Sequence, residues 1–75
     1  GGATMNEGYF LRFVRHLYSD REGDDGVPYE DLIDEAVREF EVREETVEQA
    51  IDYLLKRGEV YEPADGRLKP TDGGL

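Results

Sequence analysis

The chain of 75 residues contains no cysteine, no tryptophan, one histidine and only two lysines. Without cysteine it has neither a disulfide framework nor a thiolate metal site. Its apolar residues stand in short runs, so the sequence contains no transmembrane span and no signal peptide. A chain of this length is expected to fold as one small domain, with a modest core and no deep enzymatic cleft.

Catalytic and metal-binding patterns are also missing. His16 has a nearby hydroxyl in Ser19, but no third residue is placed to orient such a pair for nucleophilic catalysis. The acidic clusters at 24–25 and 30–35 lack the spacing of a calcium loop, and there is no glycine-rich phosphate loop. We therefore expect a non-catalytic domain without metal or cofactor; any enzymatic activity would belong to a longer parent protein.

Negative charge dominates what is present, with 19 acidic and 9 basic residues and a net charge of −10. Residues 20–52 hold 14 of the acids and three arginines, whereas residues 1–19 and 53–71 each carry a net charge of +1. An acid excess with few lysines is typical of halophilic proteins, whose carboxylates keep the surface hydrated. The alternative is that the acidity marks a binding surface.

The apolar periodicity predicts three helices, over residues 6–19, 29–40 and 44–57. A Gly- and Asp-rich loop follows the first helix, and residues 27–28 form a short extended piece, because a residue before proline avoids the helical region. We expect Phe13, Ile51 and Leu54 to centre the core. The core residues predicted on the three helices are Phe10, Phe13, Val14, Leu17, Leu32, Ile33, Ala36, Val37, Phe40, Val47, Ala50, Ile51 and Leu54.

The segment GEVYEPADGRLKPT, residues 58–71, predicts a β-hairpin after the third helix. Gly58 suits the left-handed position that ends a helix, and the turn is expected around residues 64–66. Val60 and Leu68 should point inward, against the third helix. The order of helix, short strand, helix, helix and hairpin is that of a winged helix.

The predicted fold class is therefore mainly α with a small β-hairpin (α+β): a winged helix (winged helix-turn-helix) of three helices plus a wing. Residues 6–71 are expected to form this domain. Residues 1–5 are expected to be a tag remnant or a flexible N-terminus, and residues 72–75 a flexible tail.

Residues 44–71, EETVEQAIDYLLKRGEVYEPADGRLKPT, also resemble a known family. They resemble the C-terminal winged-helix domains of archaeal minichromosome maintenance (MCM) helicases. They are also similar to the winged-helix tails of archaeal single-stranded-DNA-binding proteins of the replication protein A type. In those families a helix ends in basic-Gly-Glu, a strand ends in Tyr-Glu-Pro, and a turn leads into a short basic strand. The matching residues here are Lys56-Arg57-Gly58-Glu59, Tyr61-Glu62-Pro63 and Arg67-Leu68-Lys69.

The resemblance covers roughly residues 9–71 and is most distinctive over residues 56–70. It implies an archaeal DNA replication or repair protein in the cytoplasm, associated with the nucleoid. The expected partners are replication or repair proteins or the rest of the parent chain, with no membrane, and the domain is expected to be monomeric in isolation.

The third helix departs from DNA-reading relatives. A recognition helix usually brings Arg, Lys, Asn or Gln to the base edges, whereas three carboxylates are expected on the outer face here. We therefore predict an accessory or regulatory module that acts mainly through protein contacts. The candidate residues for protein interaction are Glu45, Glu48, Gln49, Asp52, Tyr53 and Tyr61.

The alternative is weak, non-sequence-specific DNA binding, in which the wing contacts the phosphate backbone. The candidate residues for this contact are Lys56, Arg57, Arg67 and Lys69. The same basic residues on a hairpin can also be a solvated edge whose charge discourages strand pairing.

Overall fold

In the part of the chain that the structure describes, three helices and a small antiparallel sheet make up the fold, as predicted for a winged helix. The computed structural model describes residues 6–21 and 25–71, so the predictions for residues 1–5 and 72–75 lie outside the described residues. The elements in chain order are α1 (Glu7–Asp20), β1 (Val27–Pro28), α2 (Tyr29–Phe40), α3 (Glu44–Arg57), β2 (Val60–Tyr61) and β3 (Arg67–Pro70). None of the helices in the described part of the chain is long and apolar enough to span a membrane.

Local signals set the helix ends. The bounds of α2 and α3 are those predicted, whereas α1 begins one residue later than predicted, because Asn6 caps it, and also ends one residue later. The Asn6 side-chain oxygen accepts a hydrogen bond from the backbone N–H of Tyr9 at 3.1 Å. At the end of α3, Gly58 has a φ of 77° and donates its N–H to the carbonyls of Leu54 and Leu55, as the glycine signal predicted.

The sheet has the order β1-β3-β2, so β3 is its central strand. On one side Val27 pairs with Leu68, and on the other Tyr61 pairs with Lys69, both in antiparallel register. The extended piece predicted at residues 27–28 is thus a third strand beside the hairpin. The hairpin turn lies where it was predicted, with Gly66 at a φ of 77°.

The core lies between the three helices and the inner face of the sheet. Val60 and Leu68 are 2% and 0% exposed, as predicted. β2 packs against α3 as expected, whereas β3 packs mainly against α1. The buried hydrophobic residues in the described part of the chain are Phe10, Val14, Val27, Leu32, Ala36, Val47, Ala50, Ile51, Leu54, Val60 and Leu68.

The predicted core needs correction at its edge and at its centre. Leu17, Ile33, Val37 and Phe40 are only partly buried and pack against the core from outside. Phe10 occupies the centre of the core with 0% exposure, and Phe13 is only half-buried beside it. Phe13 stands three residues further along α1, so it is rotated to the side of the helix that meets α2. There its ring packs edge-on against Phe40, with the ring centres 5.2 Å apart.

Leu54 allows a test of how α3 is oriented. Because Leu54 is 2% exposed, Leu54→Ala should lower the free energy of unfolding by about 2–5 kcal/mol. Leu55→Ala is the matched control: Leu55 is half-buried, so its loss should be clearly smaller. Urea denaturation followed by circular dichroism measures both. A loss below roughly 1 kcal/mol at Leu54 would contradict this orientation of α3.

Gly26 is required where the chain enters β1. Its φ is 95°, and a Cβ built there would lie 3.0 Å from the Leu68 carbonyl oxygen and 3.1 Å from a Pro63 side-chain carbon. Gly66 also has a positive φ, but a Cβ there meets nothing within 4 Å. Substitution at Gly66 therefore tests backbone strain alone, whereas substitution at Gly26 tests backbone strain together with steric overlap.

Substitution by alanine should show this difference. Gly66→Ala should cost about 1–2 kcal/mol, the usual cost of a left-handed conformation for a residue with a Cβ. Gly26→Ala should cost more, because the methyl group also overlaps backbone of the central strand. Thermal unfolding of the two variants checks the order; equal losses would show that the contact of Gly26 with β3 is not close.

Candidate partner-binding and nucleic-acid surfaces

The outer face of α3 carries a stripe of carboxylates. Glu45, Glu48 and Asp52, which we call the acidic stripe, are exposed and stand at i, i+3 and i+7. At 1.5 Å per residue they extend over about 10 Å along one side of the helix. Lys56 continues the same side, but its ammonium group lies 2.9 Å from Asp52. The position of a recognition helix therefore presents negative charge to solvent.

The outer face of α2 is also acidic, and the two arginines beside its carboxylates are already paired. Arg38 lies 3.3 Å from Glu35, and Arg21 at the end of α1 lies 3.6 Å from Asp31. Asp34 adds a further carboxylate to this surface. No group of three or more acidic or histidine residues within residues 6–21 and 25–71 is arranged to hold a metal ion.

Arg57 and Arg67, two of the predicted wing bases, lie against different neighbours. The Arg67 guanidinium donates to the Gly26 carbonyl at 3.2 Å and lies 3.6 Å from Asp25. Arg57 lies over the Tyr53 ring, 5.6 Å from its centre, and 3.8 Å from Glu59. With Lys56 paired to Asp52, three of the four predicted bases have a carboxylate within ion-pair distance.

Lys69, the fourth predicted base, lies among tyrosines. Its ammonium group is 5.6 Å from the centre of the Tyr18 ring, and Tyr61 is its partner across the strands. Hydrogen bonding with Tyr18 is the main cause that raises the pKa of Lys69 above its usual value, and Tyr61 adds to it. Lys69 therefore carries a full positive charge at neutral pH.

The predicted protein-interaction residues divide between two surfaces. Gln49 is exposed beside the acidic stripe, whereas Tyr53 lies with Arg57 on the side of α3 that faces α1. Tyr61 stands on the sheet opposite Lys69. Sequence reasoning did not assign Tyr18 to either surface. Its contact with Lys69 joins the end of α1 to β3, and no local pattern signals such a distant pair.

Tyr29 fastens the wing to the start of α2. Its hydroxyl donates to a Glu62 carboxylate oxygen at 2.6 Å, and its backbone N–H donates to the Gly66 carbonyl at 2.9 Å. Both acceptors lie in the loop that joins β2 and β3. Burial, with the hydrogen bond to Glu62 and that residue's negative charge, raises the pKa of the Tyr29 phenol. The wing loop is therefore held against the domain.

Comparisons with protein-family models, curated proteins and solved structures find no significant match to this chain.

Removing the Tyr29 hydroxyl tests the attachment of the wing. Tyr29→Phe should lower the free energy of unfolding by roughly 1 kcal/mol at neutral pH, the usual net contribution of a hydrogen bond. Tyr9→Phe is the matched control, since Tyr9 is 62% exposed and should show little change.

The stability that the Tyr29 hydroxyl contributes should also depend on pH, in a direction that follows from its pKa. Because folding raises the pKa of Tyr29, its contribution is fully present below the unfolded value of about 10 and is lost as the pH rises through the folded pKa. Above that unfolded value the wild type should lose stability more steeply than Tyr29→Phe, as measured by urea denaturation across alkaline pH. Parallel curves would contradict the hydrogen bond.

Proposed function

We propose that this domain is a non-catalytic accessory winged-helix module of an archaeal DNA replication or repair protein, acting mainly through protein contacts. The acidic stripe carries this proposal, because it occupies the helix face that a DNA-reading winged helix would turn toward the groove. The replication context rests on the resemblance of residues 56–70 to winged helices of archaeal replication proteins. Its place of action is the cytoplasm, in association with the nucleoid.

Electrostatics favours a protein partner over duplex DNA. Duplex DNA carries one negative charge per about 1.7 Å of its axis, so α3 in a groove would bring Glu45, Glu48 and Asp52 against phosphates. A basic surface on a partner, or on the rest of the parent chain, would instead be attracted to the same carboxylates. The exposed acids of α2 extend this attraction beyond α3.

The negative surface also fits adaptation to high salt. At about 1 M salt the Debye length is about 3 Å, so charges on the surface act only on groups in direct contact. A partner would then have to place basic residues directly on the stripe. The domain itself acts as a monomer in this proposal.

A titration followed by NMR tests the protein contact. The isotope-labelled chain is titrated with the ATPase core of an archaeal minichromosome maintenance helicase, and we expect shifts centred on the acidic stripe. The variant Glu45→Gln/Glu48→Gln/Asp52→Asn should weaken binding about ten-fold, since each exposed pair contributes up to roughly 1 kcal/mol. A charge-matched control, Glu7→Gln/Asp20→Asn/Asp65→Asn, removes three acids outside α3 and should bind nearly as the wild type.

Duplex DNA provides the opposing outcome. We expect weak or undetectable binding at about 0.2 M salt, because the few basic residues of the wing release only a few counterions. Sub-micromolar duplex binding abolished by substituting Gln49 or Lys56 would overturn the proposal in favour of groove reading by α3. Binding abolished only by Arg67→Ala and Lys69→Ala would support the alternative function, a wing that contacts the DNA backbone without reading sequence.

A further inference from the structure

Tyrosine rings paired with cations lie to the side of the acidic stripe. Arg57 and Tyr53 form one such pair, and Lys69 and Tyr18 form the other, each with 5.6 Å from the cationic group to the ring centre. Tyr61 stands beside Lys69 in the register of the sheet. Tyr53 and Tyr61 are each 42% exposed, so much of each ring is open to a ligand.

One side of α1 connects the two pairs. Leu11 lines a groove between α1 and α3, of about 270 Å³, together with Tyr53 and Arg57. Leu11, Arg15 and Tyr18 then follow at i, i+4 and i+7, along one side of the helix. This side extends over about 10 Å. We call the resulting surface the tyrosine face; its residues are Arg15, Tyr18, Tyr53, Arg57, Tyr61 and Lys69.

The charge of the tyrosine face differs from that of the helix surfaces around it. Within the described part of the chain, neither Arg15 nor Lys69 forms an ion pair. The carboxylates of this region, Glu7 and Glu59, lie at the groove end, where Glu59 is 3.8 Å from Arg57. The face therefore has a locally positive character on a molecule whose net charge is −10.

We infer that the tyrosine face binds single-stranded nucleic acid. The bases of the bound strand would stack on Tyr61 and Tyr53, and the phosphates of the strand would lie near Lys69 and Arg15. Stacking on aromatic side chains tolerates any sequence and requires unpaired bases, which a single strand offers and a duplex does not. An acidic peptide would use the cations but leave the exposed rings without a specific role. This site goes beyond the proposed function, because it lies on a different surface from the acidic stripe.

The probe for the test is a twelve-nucleotide oligothymidine, titrated into the 75-residue chain at about 50 mM salt. The chain has five tyrosines and no tryptophan, so base stacking is read directly as quenching of tyrosine fluorescence. NMR shifts should map to α1, Tyr53, Tyr61 and Lys69, and not to the acidic stripe.

Matched variants distinguish the contribution of the tyrosine ring to binding from that of its hydroxyl. Tyr61→Ala should weaken binding about ten-fold, within the range measured for base–aromatic stacking, whereas Tyr61→Phe should stay within about two-fold of the wild type. In Arg15→Gln/Lys69→Gln the plot of the logarithm of the binding constant against the logarithm of the salt concentration should be less steep. Its slope should fall by about 0.7 for each phosphate that the variant no longer neutralises. Circular dichroism confirms that each variant is folded. If Tyr61→Ala does not fold, the Arg15→Gln/Lys69→Gln pair decides by its salt dependence.

Three results would overturn the inference. The first is an affinity that neither Tyr61→Ala nor Arg15→Gln/Lys69→Gln changes. The second is equal affinity for a duplex of the same length, which would show that unpaired bases are not recognised. The third is equal affinity for an oligoglutamate peptide, which would assign the surface to acidic protein segments. None of these three results bears on protein binding at the acidic stripe, so each of the two proposals can fail without the other.

Discussion

The burial of Leu68 in the central strand is the contact on which the rest of the domain depends. Leu68 is 0% exposed, and its strand pairs with β1 on one side and β2 on the other while packing against α1. The chain segments on either side of α2 and α3 are therefore joined through a single four-residue strand. Gly26 and Tyr29 secure the same region, since Gly26 passes close to the Leu68 carbonyl and Tyr29 binds the loop before β3. β3 is therefore the element that holds β1, β2 and α1 together.

Much of this fold follows from local sequence. The limits of α2 and α3 were predictable because their apolar residues repeat with helical spacing, and because Gly58 offers a left-handed end. The hairpin turn was predictable because its glycine marks a position that needs positive φ. What could not be predicted is pairing at a distance. Val27 and Pro28 are too few to show a strand period, so nothing in the sequence indicated that they align with β3.

The candidate surfaces, like the fold, were predictable from the sequence only where they depend on local structure. The outward direction of Glu45, Glu48 and Asp52 follows directly from helical spacing once the buried residues of α3 are known. The partners of the wing bases do not, because Arg67 reaches the chain before β1 and Lys69 reaches Tyr18 on α1. The sequence therefore indicated which residue types stand on the wing, whereas tertiary contacts decide what charge each presents to a ligand. The acidic stripe and the tyrosine face are two surfaces of opposite character on one small domain.

The place of β3 in the chain has a consequence for how the protein folds as it is synthesised. The three helices leave the ribosome first, but the strand that completes their core comes after all of them. Until residues 67–70 emerge, α1 lacks the strand it packs against, and the exposed acids of α2 and α3 repel one another. Helix formation is fast and local, whereas the pairing of Val27 with Leu68 must close a long loop. The domain should therefore remain open until β3 has been synthesised and reach its cooperative fold in one late step, when β3 inserts between the other two strands.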